Sequence, residues 1–436
     1  MSHKVVKILD KQYDVAVIGG GTAGVVAAIQ SARAGAKTLL IEKNELLGGT
    51  ITQAEVRFPG LFHAWKKQII AGIGWELVCK AVEEAGGTFP DFEAQEQDHH
   101  WRQQVRIEPA VYALICDEMV CKAGVEVLFD TMPASLEETE NGKRLTICTK
   151  SGLTVISVKV IIDCTGDANA ATLAGYATEQ SEECQPGSYY CHLDGYDAAS
   201  LDMDLIGRHF DEEVKKGTFA YSDMSWHIDS FDPKWINAYG AGGNHVYLPD
   251  AAGQTSEDRT AIALRARLTI LNLYRFCKKQ PGMKNVRIQS LAHECGIRET
   301  VRIIGKKKIT SEDYIRGTRY GDDVCYSFYP IDIHTHSGIG LDKRCLEPGI
   351  VPTIPRGALL PAGSRNFLVA GRCIASDQAA NSALRVEATC MATGQAAGAL
   401  AALAAKSGLD VEEVPMEQLY EVLRQNGAII PQSINK

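Results

Sequence analysis

The sequence has no Cys-x-x-Cys pair, no excess of positive charge, no internal repeat and no low-complexity segment. Each absence excludes something. The 13 cysteines are scattered singly and odd in number, so no disulfide framework is expected, and they read as reduced, buried thiols. Lys and Arg total 45 against 54 Asp and Glu, a net charge of -9 that argues against non-specific nucleic-acid binding. The opening MSHKVVKILDKQYD is polar and does not read as a secretory signal. The longest apolar stretch, Met391–Ala405, reads as too short to span a bilayer. The expectation is a cytoplasmic protein with neither nucleic acid nor membrane as partner. At 436 residues, 45% hydrophobic and 23% charged, the chain can bury a sizeable core and suggests two interleaved domains.

What is present starts with VAVIGGGTAGVVAAI, Val15 to Ile29. Tyr13–Ile18 reads as a strand buried on both faces. Gly19, Gly21 and Gly24 fit G-x-G-x-x-G, Thr22–Ala34 has helical composition, and Gly35 stands where a helix ends. Lys37–Lys43 reads as a second strand ending at Glu42. This is the order of a dinucleotide-binding β-α-β unit. Gly19 permits the tight turn, Gly21 the approach of a pyrophosphate to bare backbone, and Gly24 close helix–strand packing. The helix N-terminus offers unpaired N–H groups to phosphate, and Glu42 can accept from ribose hydroxyls. GAGGNH, Gly240 to His245, lacks the β-α-β frame, so no separate NADPH domain is expected.

Three later segments bear on which dinucleotide is bound. LLGGT, Leu46 to Thr50, has a glycine pair suited to passing close to a cofactor. Val158–Ala171 is an apolar strand ending in Thr165, Gly166 and Asp167. Asn366–Ser376 is another strand, ending in Gly371 and Arg372, before a helix with Gly394, Ala397 and Gly398 on its close-packed side. These runs, with CGIRETVRIIG to YPIDIH (Cys295 to His334), resemble the FAD-dependent oxidoreductases of the glutathione-reductase and succinate-dehydrogenase type, and most closely a bacterial group of that name.

The resemblance implies FAD as cofactor and a role at each matching position. Gly19, Gly21, Thr22, Ala23 and Gly24 would hold the pyrophosphate. Glu42 and Lys43 would sit at the adenosine ribose, and Met132 at the adenine edge. Gly48, Gly49 and Thr50 would pass the pyrophosphate and flavin. Thr165, Gly166 and Asp167 would close the adenosine side, and Gly371 and Arg372 would lie near the ribitol. Val386, Ala388 and Thr389 would open a helix whose N–H groups face the flavin, where reduced flavin carries negative charge.

The expected fold is α/β: a Rossmann-like FAD-binding domain of the glutathione-reductase type, assembled from discontinuous segments, with an inserted α+β substrate domain. Residues 1–179 and 361–410 form the FAD domain, 180–360 the substrate domain, and 411–436 a C-terminal helix packed on the body. Turns are expected at Asn141-Gly142 and Ser151-Gly152, and helices at Ser256–Lys279 and after Thr310.

Candidates for chemistry lie outside the fingerprint. His63, in FPGLFHAW, is placed to act as a base beside the flavin or to pack among Phe58, Phe62 and Trp65. Arg298 and Arg302, four apart, would share a helix face and suit a carboxylate or phosphate substrate, or else salt a surface with Glu294 and Glu299. Cys295 is read as buried filler rather than a redox thiol. Asp332, His334 and His336 alternate on one strand face, a poor metal geometry and a better polar cavity lining. Arg385 is a candidate for substrate or flavin binding. The reading is an FAD-dependent oxidoreductase that transfers a hydride between the flavin and a small polar, or anionic, metabolite. A flavin monooxygenase and a non-catalytic flavin-binding or sensor protein are the rival readings. The electron acceptor or donor is unnamed, no metal is expected, and a homo-oligomer is left open.

Overall fold

The computed structural model describes residues 12–94, 97–140, 142–233, 236, 246–249, 251–335 and 341–431. Asn141, the Gly240–His245 run and His336 lie outside the described residues.

A seven-stranded mixed sheet forms the centre. Its strands in chain order are β1 (Gln12–Ile18), β2 (Thr38–Ile41), β3 (Glu126–Leu128), β4 (Met132–Thr139), β5 (Gly142–Thr149), β6 (Gly152–Asp163) and β7 (Phe367–Val369). The order across the sheet is β3-β2-β1-β6-β5-β4, with β7 also beside β6. β3, β2, β1, β6 and β7 run parallel, β5 pairs antiparallel with β6, and β4 pairs antiparallel with β5. The end of β6 is shared: Asp163 stands opposite Ile18 on one side and Val369 on the other. Val15–Ile18 and Leu39–Ile41 are buried on both faces, which is why these strands read as unbroken apolar runs.

Helix α1 (Thr22–Arg33) packs against this sheet and α3 (Glu387–Ser407) completes that layer, while the preceding α2 (Gln378–Leu384) packs on the strand Ile331–His334. Val386, with extended backbone (φ -63°, ψ 137°), caps α3 and separates it from α2. α1 and α3 approach closely because α3 offers no side chain at the crossing. A Cβ on Gly394 would lie 2.2 Å from the Ala23 carbonyl oxygen, and one on Gly398 would lie 2.4 Å from that of Ala27. By length and composition α3 is apolar enough to cross a membrane, which corrects the reading of its run as too short. Its apolar window is 94% buried inside the protein, as a core helix requires.

A second buried cluster runs from Tyr189 to Ile297, around the helix Ser256–Cys277 and the antiparallel pair Cys191–Asp194 with Arg287–Leu291. Val301 to Leu360 instead join the main core. Packing therefore changes near Ile297 and not at residue 360. Val301–Ile303 pairs with Thr178–Gln180, and Ile303 N–H donates to Cys373 O at 3.0 Å, which ties this stretch to the end of β7. The C-terminal helix Met416–Gln425 packs through Leu419 and Leu423.

Candidate active site

One cavity runs along the carboxyl ends of β1, β2, β6 and β7, where open α/β sheets bind ligands. Its floor is glycine backbone. Gly19 has φ +100°, and a Cβ there would strike the Cys164 carbonyl at 2.6 Å. A Cβ on Gly24 would lie 1.8 Å from Gly19 O, so Gly24 sets the contact between helix and turn and does not line the cavity. Gly21 differs: its Cβ would meet only Gly49 Cα, at 3.7 Å, so the protein itself leaves room. Gly49 has φ +56° and lines the cavity with Thr50, Thr22 and Ala23, whereas Gly48 lies behind it against Thr52 and Tyr112.

Glu42 lines the cavity and is buried, accepting from Gly20 N–H at 2.6 Å and Asn44 N–H at 2.9 Å. Burial pushes its carboxyl up, against those two hydrogen bonds. Lys43 pairs with Glu294 from the second cluster, which also accepts from Asn44 at 2.8 Å. Met132 is half-exposed at the rim, beside Thr131 and Pro133.

The turn after β6 is organised by Asp163, which accepts from Thr165 N–H (2.9 Å), Thr165 Oγ1 (2.7 Å) and Ala171 N–H (2.9 Å). Thr165, Gly166 and Asp167 line the cavity, yet Asp167 is committed to the protein. It accepts from Arg372 at 2.6 Å, Arg259 at 2.8 Å and Thr300 at 2.9 Å, and the guanidinium charges hold its carboxyl below the usual range despite burial. Arg372 spends its other donors on Gly166 O (2.8 Å) and Ile297 O (2.6 Å). Arg372 and Asp167 line the cavity and also fasten the turn after β6 to the second cluster. Gly371 lines the cavity with φ +87°.

At the start of α3, Val386 and Glu387 line the cavity, and Ala388 and Thr389 do not. Ala388 N–H donates to Pro59 O at 2.8 Å, so that expected flavin contact is already used, and the Thr389 hydroxyl bonds Ser327 Oγ at 3.0 Å.

The remaining lining is a polar cluster. Arg298 donates to Pro186 O at 2.6 Å and lies 5.8 Å over the Tyr247 ring. Arg385 donates to Gln185 Oε1 at 3.2 Å and Asp332 O at 3.3 Å. Burial and the nearby Arg298 charge push Arg385 down to about 10. Asp332 lies 3.7 Å from His334 Nε2. Its burial favours the neutral acid, but His334 and the two arginines outweigh that and bring it to about 2. Burial, then the Arg298 charge, bring His334 to about 4, so it is neutral at pH 7. Tyr329 accepts from Gln104 Nε2 at 2.9 Å and contacts His100 Nε2 at 3.1 Å.

Two expected catalytic residues stand elsewhere. His63 is absent from the lining and stacks on Phe92 at 3.8 Å, edge-on to Trp75 at 5.7 Å. Arg298 and Arg302 share no helix: the first lies in a loop and the second in the strand Val301–Ile303. Arg302 is buried in a pair with Glu299 at 2.7 Å, and donates to Ser376 O at 2.9 Å, outside the cavity. Cys295 lines the cavity with its thiol raised to about 12 by burial, which fits an inert sulfur.

A family model described as FAD dependent oxidoreductase matches residues 14–423. The chain belongs to that family. FAD is its cofactor and the protein is an enzyme. A digeranylgeranylglycerophospholipid reductase of Methanocaldococcus jannaschii is 27% identical over 218 residues, 49% of this chain and 53% of that protein. A mitochondrial dihydrolipoyl dehydrogenase of Mus musculus is 68% identical over 37 residues, 8% of this chain and 7% of that one. The matches thus span about half of the first relative and a small part of the second. A geranylgeranyl bacteriochlorophyll reductase-like structure from Thermoplasma acidophilum covers 95% of this chain and 84% of its own, with 13% identity and a TM-score of 0.44. The anhydrotetracycline hydroxylase of Streptomyces rimosus covers 94% and 65%, with 12% identity and a TM-score of 0.41. The cavity suits this family's cofactor on its own terms: it has bare backbone at Gly21 and Gly49, and a buried acid, Glu387, whose oxygens meet no partner among the described residues.

Sequence reasoning missed Glu387, Tyr329, Gln104, Arg259 and Glu294, all of which line the cavity. Only Glu387 carried a local signal, as the one acid in the run that forms α3.

Proposed function

We propose that this enzyme passes a hydride between a small anionic metabolite and FAD, with Arg298 and Arg385 gripping the anion. The observation that carries the reading is these two buried guanidinium groups, which line one cavity with Asp332 beside them. Two guanidinium groups in a desolvated place suit a carboxylate or phosphate, whose oxygens match their paired donors.

FAD, when bound, supplies a two-electron centre able to take up or release the hydride. In this reading Gly19, Gly21, Thr22, Ala23, Gly49 and Thr50 hold it along the floor, with Glu42, Lys43 and Met132 at its adenosine side. The fold is of the glutathione-reductase type, and the unit from Tyr189 to Ile297 is its inserted substrate domain.

Asp332 and His334 manage the proton that accompanies the hydride. Before substrate binds, burial first and then the arginine charges hold His334 down and leave it a weak base. An anion between Arg298 and Arg385 offsets the arginine part of that effect and raises the histidine. Binding thereby prepares the base.

The test is anaerobic addition of carboxylate and phosphate metabolites to the yellow enzyme, read as loss of flavin absorbance. Bleaching by an anion, lost in Arg298→Ala at the same concentration, is the expected result. Bleaching only by uncharged substrates would overturn the anion grip. Reduction by NADPH alone, with oxygen giving a hydroxylated product, would return the monooxygenase reading.

A further inference from the structure

Glu387 is the first residue of α3 and is only 7% exposed. It lines the cavity, yet neither carboxyl oxygen meets a hydrogen-bond partner among the described residues, and no ion pair reaches it there. Buried polar groups without partners are rare, and each asks for a missing one. The helix N-terminus favours an ionised carboxylate, but by less than the desolvation of an unpaired charge.

We propose that Glu387 is a cofactor-binding residue, a carboxylic acid that stays protonated at neutral pH and donates its hydrogen bond to an acceptor oxygen of bound FAD. The dinucleotide is rich in acceptors, on its phosphates and on the flavin carbonyls, and an ionised glutamate would repel the phosphates. Burial pushes the Glu387 carboxyl well up, in keeping with the neutral form. The titratable groups facing it are Tyr112, on the helix Pro109–Ala123, and Cys390, one turn along α3. Burial drives Tyr112 far up and Cys390 to about 12, so neither changes charge near neutral pH.

This inference rests on FAD as cofactor and not on the identity of the substrate. FAD binding to the apoprotein is measured without turnover, so its failure leaves the hydride reading untouched. Kd for FAD is titrated from neutral to alkaline pH in the wild type, Glu387→Gln and Glu387→Ala. Wild-type affinity is expected to fall as pH rises and the acid ionises. Glu387→Gln, an isosteric neutral donor, should bind nearly as well at neutral pH and lose that decline. Glu387→Ala should bind about tenfold more weakly, the size of one lost hydrogen bond. In the infrared, the wild-type holoprotein should show a protonated-carboxyl stretch that Glu387→Gln lacks. Wild-type affinity insensitive to pH, with no such band, would overturn the proposal. Should Glu387→Ala fail to fold, the glutamine variant and the infrared band still decide.

Discussion

The Gly394 Cα faces the Ala23 carbonyl so closely that one added methyl would sit 2.2 Å from that oxygen. The two helices that end at the cofactor cavity are therefore held at a separation only glycine allows. Gly398, one turn on, repeats the contact and accepts a hydrogen bond from Ser31 at 3.1 Å.

Gly394→Ala is expected to destabilise the protein by about 1–3 kcal/mol or more, because the α1 backbone must move and the site is rigidly packed. Thermal unfolding of the apoprotein measures it. An unchanged melting temperature would show that α1 yields freely.

Gly21→Ala and Gly24→Ala should behave oppositely. At Gly21 the methyl meets only Gly49 Cα at ordinary contact, so the apoprotein keeps its stability and FAD affinity falls. At Gly24 the methyl would lie 1.8 Å from Gly19 O, so folding itself suffers. Melting curves of both apoproteins, paired with FAD titrations, separate the two effects. Full FAD affinity in Gly21→Ala would displace the dinucleotide from that stretch of floor.

The two arginines once expected to act together should come apart. Arg302→Ala leaves Glu299 buried without its partner, and a loss of about 3–5 kcal/mol in stability follows. Arg298→Ala should cost less stability, about that of its hydrogen bond to Pro186 O, and weaken an anionic substrate by roughly 2–5 kcal/mol. Denaturant unfolding and substrate titration of each variant give the comparison. Equal destabilisation by both would mean Arg298 is structural.

His63 gives a pH dependence. Burial lowers it from 6.5 to about 4, so the unfolded chain takes up a proton that the folded one refuses. Its stabilising effect is present above pH 6.5 and is lost as pH falls toward 4. His100 and His334, also near 4, act in the same sense. His63→Phe should keep the stack on Phe92 and reduce the drop in unfolding midpoint between neutral and acid conditions. An undiminished drop would assign the effect to the other histidines. Flavin reduction should be unaffected in this variant, because His63 does not line the cavity.

Local order made the first unit legible. Strand, glycine turn, helix and second strand follow one another within Gln12 to Ile41, and each has its own short-range signature. The polar pair Asp332 and His334 was legible as alternation on one strand. Arg302 was not, because its partners are Ser376 on a distant segment and a glutamate close enough in sequence to suggest a helix. His63 was ambiguous for a similar reason. The aromatic residue that decides its role, Phe92, lies beyond the window in which its neighbours were read. The double duty of Arg372 depended on Ile297 and Asp167, which only the folded chain brings together.

The helix pair also fixes when the enzyme can first exist. Ser31 and Gly398 touch across 367 residues of chain, and α3 supplies one wall of the cavity. A ribosome releases α1 long before its partner, so the apolar face of α1 must wait, uncovered, through most of synthesis. Flavin capture is then a late event in the life of each molecule. Chains cut short before Glu387 would offer chaperones and proteases the very surface that α3 hides.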